Sequence, residues 1–565
     1  MVRPANSDKS LYFDYPQFDF QRPAEMDGDA ATHPVIIVGG GPVGVTAALE
    51  LARHGIASVV LDDKNTVNDG SRAICIARHS MECLQQLGLA DRFLEKALPW
   101  THGTSYYRDR EVYRLEMPHS QEERFYPMYN LQQQYIELFL VEQAMQEDLV
   151  DIRWCSRVDG LRQDENGVSV NVVTPEGDYE LNGSYLLAAD GARSIARKSL
   201  GLKLNGDAYE GRYVIVDIQM ALDYPTERRA FFDPVSNPGL TILVHKQPDN
   251  IWRIDYQVDD EVDEVEELRE ETIRARVAPI VKMIGGPDDW KLEWWSIYKA
   301  YTLALDDYRC GRTFFAGDAA HLVPIFGVRG LNSGLADAMN IAWKLAYVIH
   351  GWAEDSLLDS YSPERRGATL EVFENASKST KFMTPPSRGH ELMRTAALSL
   401  ATGFEFTRSL VNPRQSQPYT YINSSPAAYR DLDAEFDGGP GTGAPIFNCL
   451  LDDNTYLLDY IGKSFSGIYF SNSGIIDAGL KESLAHLDVG EEKFRLLIVS
   501  SIEMRTDAGV VLPDRDGSIF SSYGAIHDSF YLVRPDRHVL ARWKVIDIEE
   551  VLQAMQACLK GEPNE

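Results

Sequence analysis

The feature that most constrains the fold is a glycine-rich turn between a predicted buried strand, residues 34–38, and a predicted helix. Gly39, Gly41 and Gly44 form the pattern GxGxxG. In this pattern the first glycine permits a tight turn, the second lets the backbone approach a pyrophosphate, and the third lets the helix pack against the strand. Asp62 ends the next apolar strand, where a carboxylate accepts hydrogen bonds from ribose hydroxyls. The sequence therefore predicts an α/β fold that begins with a dinucleotide-binding unit, and this turn alone leaves NAD and FAD open.

Length and net charge limit the classes of protein to which the chain can belong. At 565 residues the chain exceeds one ordinary domain, so we expect two or three. A formal net charge of −30 argues against binding to nucleic acid or to an anionic membrane, because a polyanionic partner would be repelled. No stretch approaches the ~20 apolar residues of a membrane span, and residues 1–32 lack the basic and apolar regions of a signal peptide.

Cysteine and histidine are scattered along the chain. The six cysteines include no CxxC pair, and the twelve histidines form no metal-ligand motif. We therefore predict buried free thiols in a reducing cytosol, a cytoplasmic location and no metal site.

Two further segments of the sequence indicate which of the two dinucleotides binds. Asp190 begins the pattern DGxxSxxR after an apolar strand, and far downstream Gly317-Asp318 also follows a strand. The chain then runs through PxxGxxGxN to residues 330–332, at the start of a long predicted helix. A carboxylate at a strand end can bind a ribityl hydroxyl, and backbone N–H groups at a helix start stabilise the negative charge of a reduced isoalloxazine ring. This arrangement favours FAD.

The three motifs, in this order and spacing, resemble the single-component FAD-dependent aromatic hydroxylases, the class of 4-hydroxybenzoate, phenol and 3-(3-hydroxyphenyl)propionate hydroxylases. The likeness covers residues 34–366. Residues 431–565 resemble the thioredoxin-like third domain of the larger members. This segment holds only Cys449 and Cys558 and lacks CxxC, so we expect a role in packing or dimerisation instead of thiol chemistry. The resemblance implies FAD as the cofactor and a homodimer.

The resemblance assigns cofactor contacts residue by residue. The three glycines of the turn face the pyrophosphate, Arg72 reaches the cofactor, and the backbone of Val158 touches the adenine. Gln133 matches a glutamine near the ribityl chain, and its register among neighbouring glutamines stays open. The full set implied for FAD is Gly39, Gly41, Gly44, Asp62, Arg72, Gln133, Val158, Asp190, Gly317, Asp318, Gly330, Leu331 and Asn332.

The resemblance also implies the chemistry. NADH or NADPH reduces the flavin, O₂ adds to it, and the resulting C4a-hydroperoxide transfers one oxygen atom to an electron-rich phenolic ring. The chain has no second GxGxxG for the nicotinamide, so the flavin is expected to swing outward to meet it. A small aromatic substrate and O₂ are the expected partners.

Two residues are candidates for contact with flavin or substrate. Arg253 resembles a family arginine with such contacts, and an ordinary strand-surface arginine is the alternative. Pro324 matches a proline whose carbonyl faces the substrate hydroxyl. Tyr256 and His321 are better interpreted as structural residues. Departures from the family pattern, which put the identity of the substrate in doubt, fall at Ile325, Val328 and Arg329.

The patterns divide the chain into six segments. They are an N-terminal arm (1–32), an FAD-binding domain in two parts (33–212 and 306–390), an inserted β-rich substrate domain (213–305), a linker (391–430) and the thioredoxin-like domain (431–565). Besides phenol hydroxylation, two functions stay open. One is a tailoring oxygenase acting on a polycyclic or ketone substrate, including Baeyer–Villiger insertion; the other is a non-catalytic flavin-binding scaffold.

Overall fold

The structure is a computed structural model that describes residues 9–28, 31–259, 261–324, 327–411, 418–421, 424, 436–452, 454–473, 476 and 478–561. Within these residues two sheets of eight strands, one of five and one of three carry an α/β architecture. The α-helices are Pro42–Arg53, Arg78–Gln86, Ala90–Leu94, Gln133–Ala144, Ile195–Ser199, Glu264–Glu267, Glu270–Met283, Gly330–Ile349, Tyr361–Met383, Arg388–Ala401, Leu457–Tyr460, Ala478–Leu484, Ser518–Ser522 and Ile548–Lys560.

The first large sheet is built on parallel strands, as the apolar runs predict. Thr32–Val38 lies at its centre between two parallel neighbours, and helix Pro42–Arg53 connects it to Ser58–Leu61. Both faces of the central strand are covered, because Val35, Ile36 and Ile37 all have no exposed surface. The strands are, in order across the sheet, Arg309–Cys310, Thr313–Phe315, Gly177–Ala188, Thr32–Val38, Ser58–Leu61 and Val150–Arg153. Val168–Thr174 pairs antiparallel with Gly177–Ala188, and Arg157–Gln163 pairs antiparallel with Val168–Thr174.

The second large sheet is mostly antiparallel and packs one face on helix Glu270–Met283. Strand Ile251–Val258 alternates between the two faces: Trp252, Ile254 and Tyr256 pack with the helix, while the residues between them point to the opposite side. The strands are, in order, His321–Leu322, Lys291–Ala304, Asn205–Gln219, Ile251–Val258, Thr241–Lys246, Arg228–Phe232, His102–Tyr107 and Arg110–Glu116.

This second sheet extends beyond the boundaries drawn from the sequence. Strands His102–Tyr107 and Arg110–Glu116, expected within the first part of the FAD-binding domain, belong to the sheet of the substrate region. His102–Tyr107 pairs in parallel with Arg228–Phe232, more than a hundred residues later in the chain. Pairing between such distant segments depends on tertiary packing and leaves no local signal.

The five-stranded sheet forms the C-terminal region. Its strands Arg495–Ser500 and Phe530–Val533 coincide with short apolar runs of the sequence. The thioredoxin-like classification of this region stays a prediction. The strands are, in order, Val510–Pro513, Arg495–Ser500, Ser466–Ser471, Phe530–Val533 and Val539–Trp543; the three-stranded sheet elsewhere consists of Cys75–Ala77, Met128–Asn130 and Leu98–Trp100.

The segment predicted as a linker, 391–430, begins inside a helix. Helix Arg388–Ala401 starts after Ser387, whose hydroxyl accepts a hydrogen bond from a backbone N–H of the first turn. Its Leu398 and Ala401 are buried, and Arg394 donates to the carbonyl oxygens of Met383 and Gly239. The prediction of a loose linker is therefore wrong for these residues, and most of 412–430 lies outside the described residues.

The N-terminal arm packs on the FAD-binding part. Phe13 is buried, and the ring of Phe18 stacks on that of Trp154 with centroids 4.5 Å apart. The hydroxyl of Ser10 donates to Glu293 at 2.5 Å. Residues 9–28 thus follow the surface of the protein by aromatic contact.

Among the helices that the structure describes, none combines the length and the apolar character needed to cross a bilayer. The six cysteines are free. Cys75, Cys83 and Cys558 are buried as predicted, whereas the other three are only partly buried, so the prediction of buried thiols is half right.

Candidate active site

A large cavity lies between the two large sheets. Its volume is about 1440 Å³, and it runs from the glycine turn to the open face of the antiparallel sheet. Residues of all three motifs line it, so these separated segments converge as predicted. The motif residues in its wall are Gly39, Gly40, Gly41, Asp190, Gly191, Gly317, Asp318, Gly330, Leu331 and Asn332.

The glycines of the turn differ in the space around them: two are closely packed and one faces open space. Gly39 has φ of +109°, and a Cβ there would lie 2.4 Å from the carbonyl oxygen of Ala189. A Cβ on Gly44 would lie 2.0 Å from the carbonyl oxygen of Gly39, whereas one on Gly41 would meet open space. Gly41 therefore faces the cavity at the positive end of helix Pro42–Arg53. Gly44 does not line the cavity, so of the two roles predicted for it the structure supports the packing of the helix against the strand and not the place at the pyrophosphate.

Asp62, which follows the neighbouring strand, binds the backbone of the glycine turn. Its Oδ2 accepts a hydrogen bond from the Gly40 N–H at 2.7 Å, and its Oδ1 accepts one from the Lys64 N–H at 2.9 Å. Burial raises the pKa of the Asp62 carboxyl, and these two N–H groups act in the opposite direction. The carboxylate lines the cavity beside the glycine turn, where the sequence predicts the adenosine ribose.

The second motif builds a helix start and a bridge to the third motif. Asp190 Oδ2 accepts from the N–H groups of Ile195 and Ala196 at 2.7 and 3.1 Å. Its Oδ1 has no hydrogen-bond partner within the described residues, and burial raises the pKa of this carboxyl. Arg197, the last residue of DGxxSxxR, donates to the carbonyl oxygen of Ala319 at 2.9 Å. This contact bridges the two motifs, which follow the paired parallel strands Gly177–Ala188 and Thr313–Phe315.

The third motif presents a carboxylate to the cavity. Gly317 has φ of +57°, and its N–H donates to Asp337 Oδ2 at 3.0 Å. The neighbouring Asp318 lies deep in the fold, yet its side chain is exposed because it borders the cavity. Burial raises the pKa of the Asp318 carboxyl, and the positive potential of His321 and Arg72 opposes this shift. No protein hydrogen bond to this side chain occurs in the part of the chain that the structure describes.

The first turn of helix Gly330–Ile349 is held by Asn332. Its Oδ1 accepts from the Ala77 N–H at 2.8 Å and from the Ser80 hydroxyl at 2.7 Å. Its Nδ2 donates to the carbonyl oxygens of Val328 at 2.7 Å and Cys75 at 3.2 Å. The amide therefore fixes the helix start against strand Cys75–Ala77, with Gly330 and Leu331 in the cavity wall.

Of three successive glutamines, one faces the cavity in the structure. Gln133 Oε1 accepts from the backbone N–H groups of Arg72 and Ala73, both at 3.1 Å, and Gln133 lines the cavity. Gln132 instead donates to Pro248, and Gln134 to Tyr15. Arg72 and Val158, the remaining predicted cofactor residues, also line the cavity.

Arg253 is a buried residue of the cavity wall. Only 1% of it is exposed, and its guanidinium pairs with the Asp217 carboxylate at 2.6 and 2.9 Å. It also donates to the carbonyl oxygens of Ser71 and Arg72. The alternative of an ordinary strand-surface arginine is therefore wrong. Its contacts join the antiparallel sheet to the Arg72 loop, and its partner Asp217 was missed at the sequence level.

The loop before the long helix holds Pro324, which lines the cavity. Ile325 lies outside the described residues. Val328 has φ of +62°, an unfavourable conformation for a β-branched residue. Arg329 donates to the carbonyl oxygen of Val372 at 3.2 Å, and burial lowers the pKa of its guanidinium. Val328 and Arg329, two of the three departures, therefore lie in the cavity wall.

Tyr256 and His321 have structural partners, as predicted. The Tyr256 hydroxyl donates to Glu267 on the helix side of the sheet. His321 Nε2 lies 2.7 Å from Asp337 Oδ2, and Arg365 pairs with the other oxygen of that carboxylate at 2.7 Å. Among the described residues, no three potential metal ligands of the His, Cys, Asp or Glu type gather into a site.

Sequence reasoning missed three polar residues on the open face of the antiparallel sheet. Arg228, His245 and Asp255 line the cavity and are buried. The available signal was alternation: Asp255 stands between Ile254 and Tyr256 in a strand whose even-numbered positions are apolar. A charged side chain that alternates with core residues points either to solvent or to a site, and only the fold distinguishes the two.

Comparison with known proteins places the chain in a family. Residues 32–376 match the family described as FAD binding domain. A 3-(3-hydroxy-phenyl)propionate/3-hydroxycinnamic acid hydroxylase of Mycolicibacterium smegmatis is 26% identical over 519 residues, which cover 89% of each chain. A para-nitrophenol 4-monooxygenase of a Pseudomonas species is 29% identical over 345 residues, covering 60% of this chain and 83% of that protein.

A solved structure agrees in fold. The flavin-dependent monooxygenase PieE, crystallised with FAD and substrate, superposes with a TM-score of 0.75 at 24% identity. The superposition covers 93% of this chain and 99% of that one. The chain therefore belongs to the single-component FAD-dependent aromatic hydroxylases, the family that its three motifs resemble.

Proposed function

We propose that the protein is an NAD(P)H-dependent flavoprotein monooxygenase that hydroxylates a phenolic compound with O₂. One observation carries this function: a single cavity joins the dinucleotide turn to the open face of the antiparallel sheet. Its volume of about 1440 Å³ exceeds the roughly 300–1000 Å³ typical of a pocket for one small ligand. FAD and an aromatic substrate therefore have room side by side.

The residues present fit FAD. Gly41 leaves open space in front of a helix start, as a pyrophosphate requires. Within the described residues, Asp190 has an unpartnered buried oxygen and the Asp318 side chain accepts no protein hydrogen bond. Buried polar groups are normally satisfied, so these groups favour a polar ligand in the cavity.

Each cofactor residue has a proposed task. Asp62 binds the adenosine ribose, Asp318 binds the ribityl chain, and residues 330–332 direct backbone N–H groups at the flavin ring. Gln133 and Arg253 position the Arg72 loop beside it. When bound, FAD supplies the reduction of O₂ and the transfer of oxygen, which no amino-acid side chain provides.

The chain itself orients the ring and excludes water. Ile215, Ala230, Leu243 and Phe232 line the sheet side of the cavity and offer an apolar surface for an aromatic ring. The Pro324 carbonyl is proposed to accept the hydrogen bond of the substrate hydroxyl. This contact would hold the phenolic proton at a defined atom and increase the electron density of the ring.

The proposed function is tested on the purified protein. We expect a yellow protein that releases FAD on denaturation and oxidises NADH or NADPH faster when a phenol is added, with a hydroxylated product. A colourless protein that does not take up FAD would contradict the proposal. Conversion of a polycycle or ketone but of no phenol would support the tailoring oxygenase, and no stimulation by any compound would support the scaffold.

We further propose a cytoplasmic homodimer. The six cysteines are free, as is usual in a reducing compartment. Leu400, Phe404 and Phe406 expose 45%, 54% and 79% of their surface beside one another in sequence, an apolar surface suited to association. Sedimentation analysis of the holoenzyme tests the dimer, and a monomer at micromolar concentration would contradict it.

A further inference from the structure

We infer that the N-terminal arm, residues 9–28, is a strap that keeps one wall of the cavity closed over FAD. This wall is the Arg72 loop, residues 62–73, which lies between strands Ser58–Leu61 and Cys75–Ala77 and has no helix or strand of its own. The match to the family begins at residue 32, so the arm lies outside the matched part of the chain. The inference rests on the proposed function, because it gives the arm a role toward bound FAD.

The inner side of the Arg72 loop belongs to the cavity. Asp62, Lys64, Asn68 and Arg72 all line it. A connection of this length without regular structure is uncommon in a compact protein and usually has a function. Because the loop forms part of the wall, an outward movement of the loop would open the cavity and let FAD leave.

The arm contacts the same loop from the other side. The Phe18 N–H donates to the carbonyl oxygen of Asn65 at 2.8 Å, and the Asn65 amide donates to Gln17 Oε1 at 2.9 Å. Further along the loop, the Gly70 N–H donates to the Tyr15 hydroxyl at 3.4 Å. Neither Asn65 nor Gly70 lines the cavity. The arm and a bound cofactor would therefore hold opposite sides of one loop.

An aromatic stack supports the neighbouring part of the cavity wall. The rings of Phe18 and Trp154 are nearly parallel, at 10°, with centroids 4.5 Å apart. Trp154 lines the cavity, and the N–H of the next residue, Cys155, donates to the carbonyl oxygen of Lys64 at 2.8 Å. Since Trp154 lies between the arm and the cavity, loss of the Phe18 ring would remove its outer contact.

The beginning of the arm is anchored on the antiparallel sheet. Glu293 accepts hydrogen bonds from the Ser10 hydroxyl at 2.5 Å and from the Leu11 N–H at 2.7 Å. The next residue of that strand, Trp294, packs closely on the Arg72 loop, because a Cβ on Gly70 would lie 2.2 Å from its ring. The arm thus crosses from the antiparallel sheet to the loop and connects the two.

Between these anchors the arm packs on the helix that begins at Gln133. The Phe13 ring is buried, with its centroid 5.0 Å from that of Tyr135, and the Tyr15 hydroxyl accepts from the Gln134 amide at 3.0 Å. Gln133 itself accepts two backbone N–H groups of the Arg72 loop. One helix therefore fixes both the loop and the arm that covers it.

The first test measures how fast the holoenzyme exchanges its FAD for an excess of isotope-labelled FAD, followed by mass spectrometry of the bound cofactor. Phe18→Ala should exchange FAD about 2- to 10-fold faster than the unaltered protein, the range given by one stacked aromatic pair. Phe18→Tyr keeps the ring and should restore slow exchange. Tyr15→Phe removes one oxygen atom and should accelerate exchange about 2- to 3-fold.

Limited digestion with trypsin measures the loop directly. Trypsin cleaves after Lys64 and Arg72, both of which lie in the loop, and mass spectrometry locates the cuts. Cleavage at these two sites should be faster in Phe18→Ala, because the loop opens more often. Lys493, whose side chain is exposed in the C-terminal region, is the internal reference, and cleavage after it should keep its rate.

Leu11→Ala is the matched control. It truncates an exposed apolar side chain of the same arm and keeps the hydrogen bond from the Leu11 N–H to Glu293. FAD exchange and loop cleavage should stay unchanged in this variant. The inference is overturned if Phe18→Ala and Tyr15→Phe exchange FAD at the rate of the unaltered protein, if Leu11→Ala accelerates exchange equally, or if cleavage after Lys493 rises together with cleavage of the loop.

The two proposals fail in different ways. A yellow holoenzyme whose arm variants retain FAD as well as the unaltered protein would leave the proposed function intact and overturn the strap. A protein that takes up no FAD would overturn the proposed function itself. Tyr15→Phe keeps the test decisive even if Phe18→Ala does not fold, because it removes only a hydroxyl oxygen and leaves the packing of the ring in place.

Discussion

The two ends of the cavity satisfy their polar groups in different ways. At the glycine turn, carboxylates such as Asp62 and Asp190 accept backbone N–H groups within their own motifs. At the sheet end, Arg228, His245 and Asp255 come from separate strands and have no partner within the described residues. At the cofactor end the chain therefore binds one oxygen of Asp190 itself and leaves the other, together with the Asp318 carboxylate, for a ligand, whereas at the sheet end all three side chains await a ligand.

The same contrast appears inside the sheet end. Arg253 and Asp217 neutralise one another, while Asp255, two residues after Arg253, is unpaired. A paired buried charge stabilises its surroundings only while both partners remain, and an unpaired one reduces stability in return for function. The following predictions test this contrast, from the largest expected effect to the smallest.

Asp217→Ala should cost about 3–5 kcal/mol of unfolding free energy, because it leaves the buried Arg253 guanidinium without its partner. Urea unfolding of the apoprotein measures this loss. Asp223→Ala, on the exposed segment after the same strand, is the control and should change the value by less than about 0.5 kcal/mol. Equal effects of the two substitutions would contradict the assignment of Asp217 as a buried partner.

Asp255→Asn should stabilise the protein relative to the unaltered chain, and this stabilisation should be larger at neutral pH than at acidic pH. Burial raises the pKa of Asp255 to about 7, with Asp217 acting in the same direction and Arg253 against it; Arg228 and His245 face it from the adjoining strands. A raised carboxyl pKa contributes stability that is present below the unfolded value near 4 and is lost as pH rises toward 7.

The unfolding free energy of Asp255→Asn minus that of the unaltered protein should therefore grow by about 2–3 kcal/mol between pH 5 and 7. Urea unfolding at several pH values measures this difference. Because the two chains share every other titrating group, the subtraction isolates Asp255. A difference that stays constant with pH would show that the carboxyl does not titrate in this window.

Asp318→Ala should weaken FAD binding by about 10- to 100-fold, because the proposed ribityl hydroxyl loses a charged acceptor. Fluorescence titration of the apoprotein with FAD measures the dissociation constant. Asp159→Ala removes an exposed carboxylate outside the cavity and serves as the control. Unchanged FAD affinity in Asp318→Ala would place the ribityl chain elsewhere.

Gly41→Ala should change the unfolding free energy of the apoprotein by less than about 0.5 kcal/mol while weakening FAD binding, because the lower entropy of the unfolded chain is offset by the loss of glycine at the helix N-cap. The backbone at Gly41 has φ of −76°, which alanine tolerates, and the added methyl enters open space. Gly39→Ala should lower the unfolding free energy, because φ at Gly39 is +109° and the added methyl group would clash with the carbonyl oxygen of Ala189. Similar stabilities of the two variants would contradict the division between packing and open positions.

Sequence reasoning was strongest where a carboxylate ends an apolar strand. Asp62 and Asp318 were predicted on that ground, and both line the cavity. It failed where partners come from distant strands: Asp217 and Arg253 pair across two strands, and residues 102–116 join a sheet whose other strands come much later. Strand register between distant segments is determined by packing, which no short window of sequence contains.

The sequence by itself determined the dinucleotide turn, the order of the three motifs and the α/β class, because those features depend on backbone geometry and on residues close in the chain. Only the tertiary structure decided that Gln133 faces the cavity and its two neighbours do not. It also decided that Arg228 is buried without a partner on the cavity wall. In a sheet covered on both faces, burial alone does not reveal which side a residue occupies, and the packing of distant segments settles it.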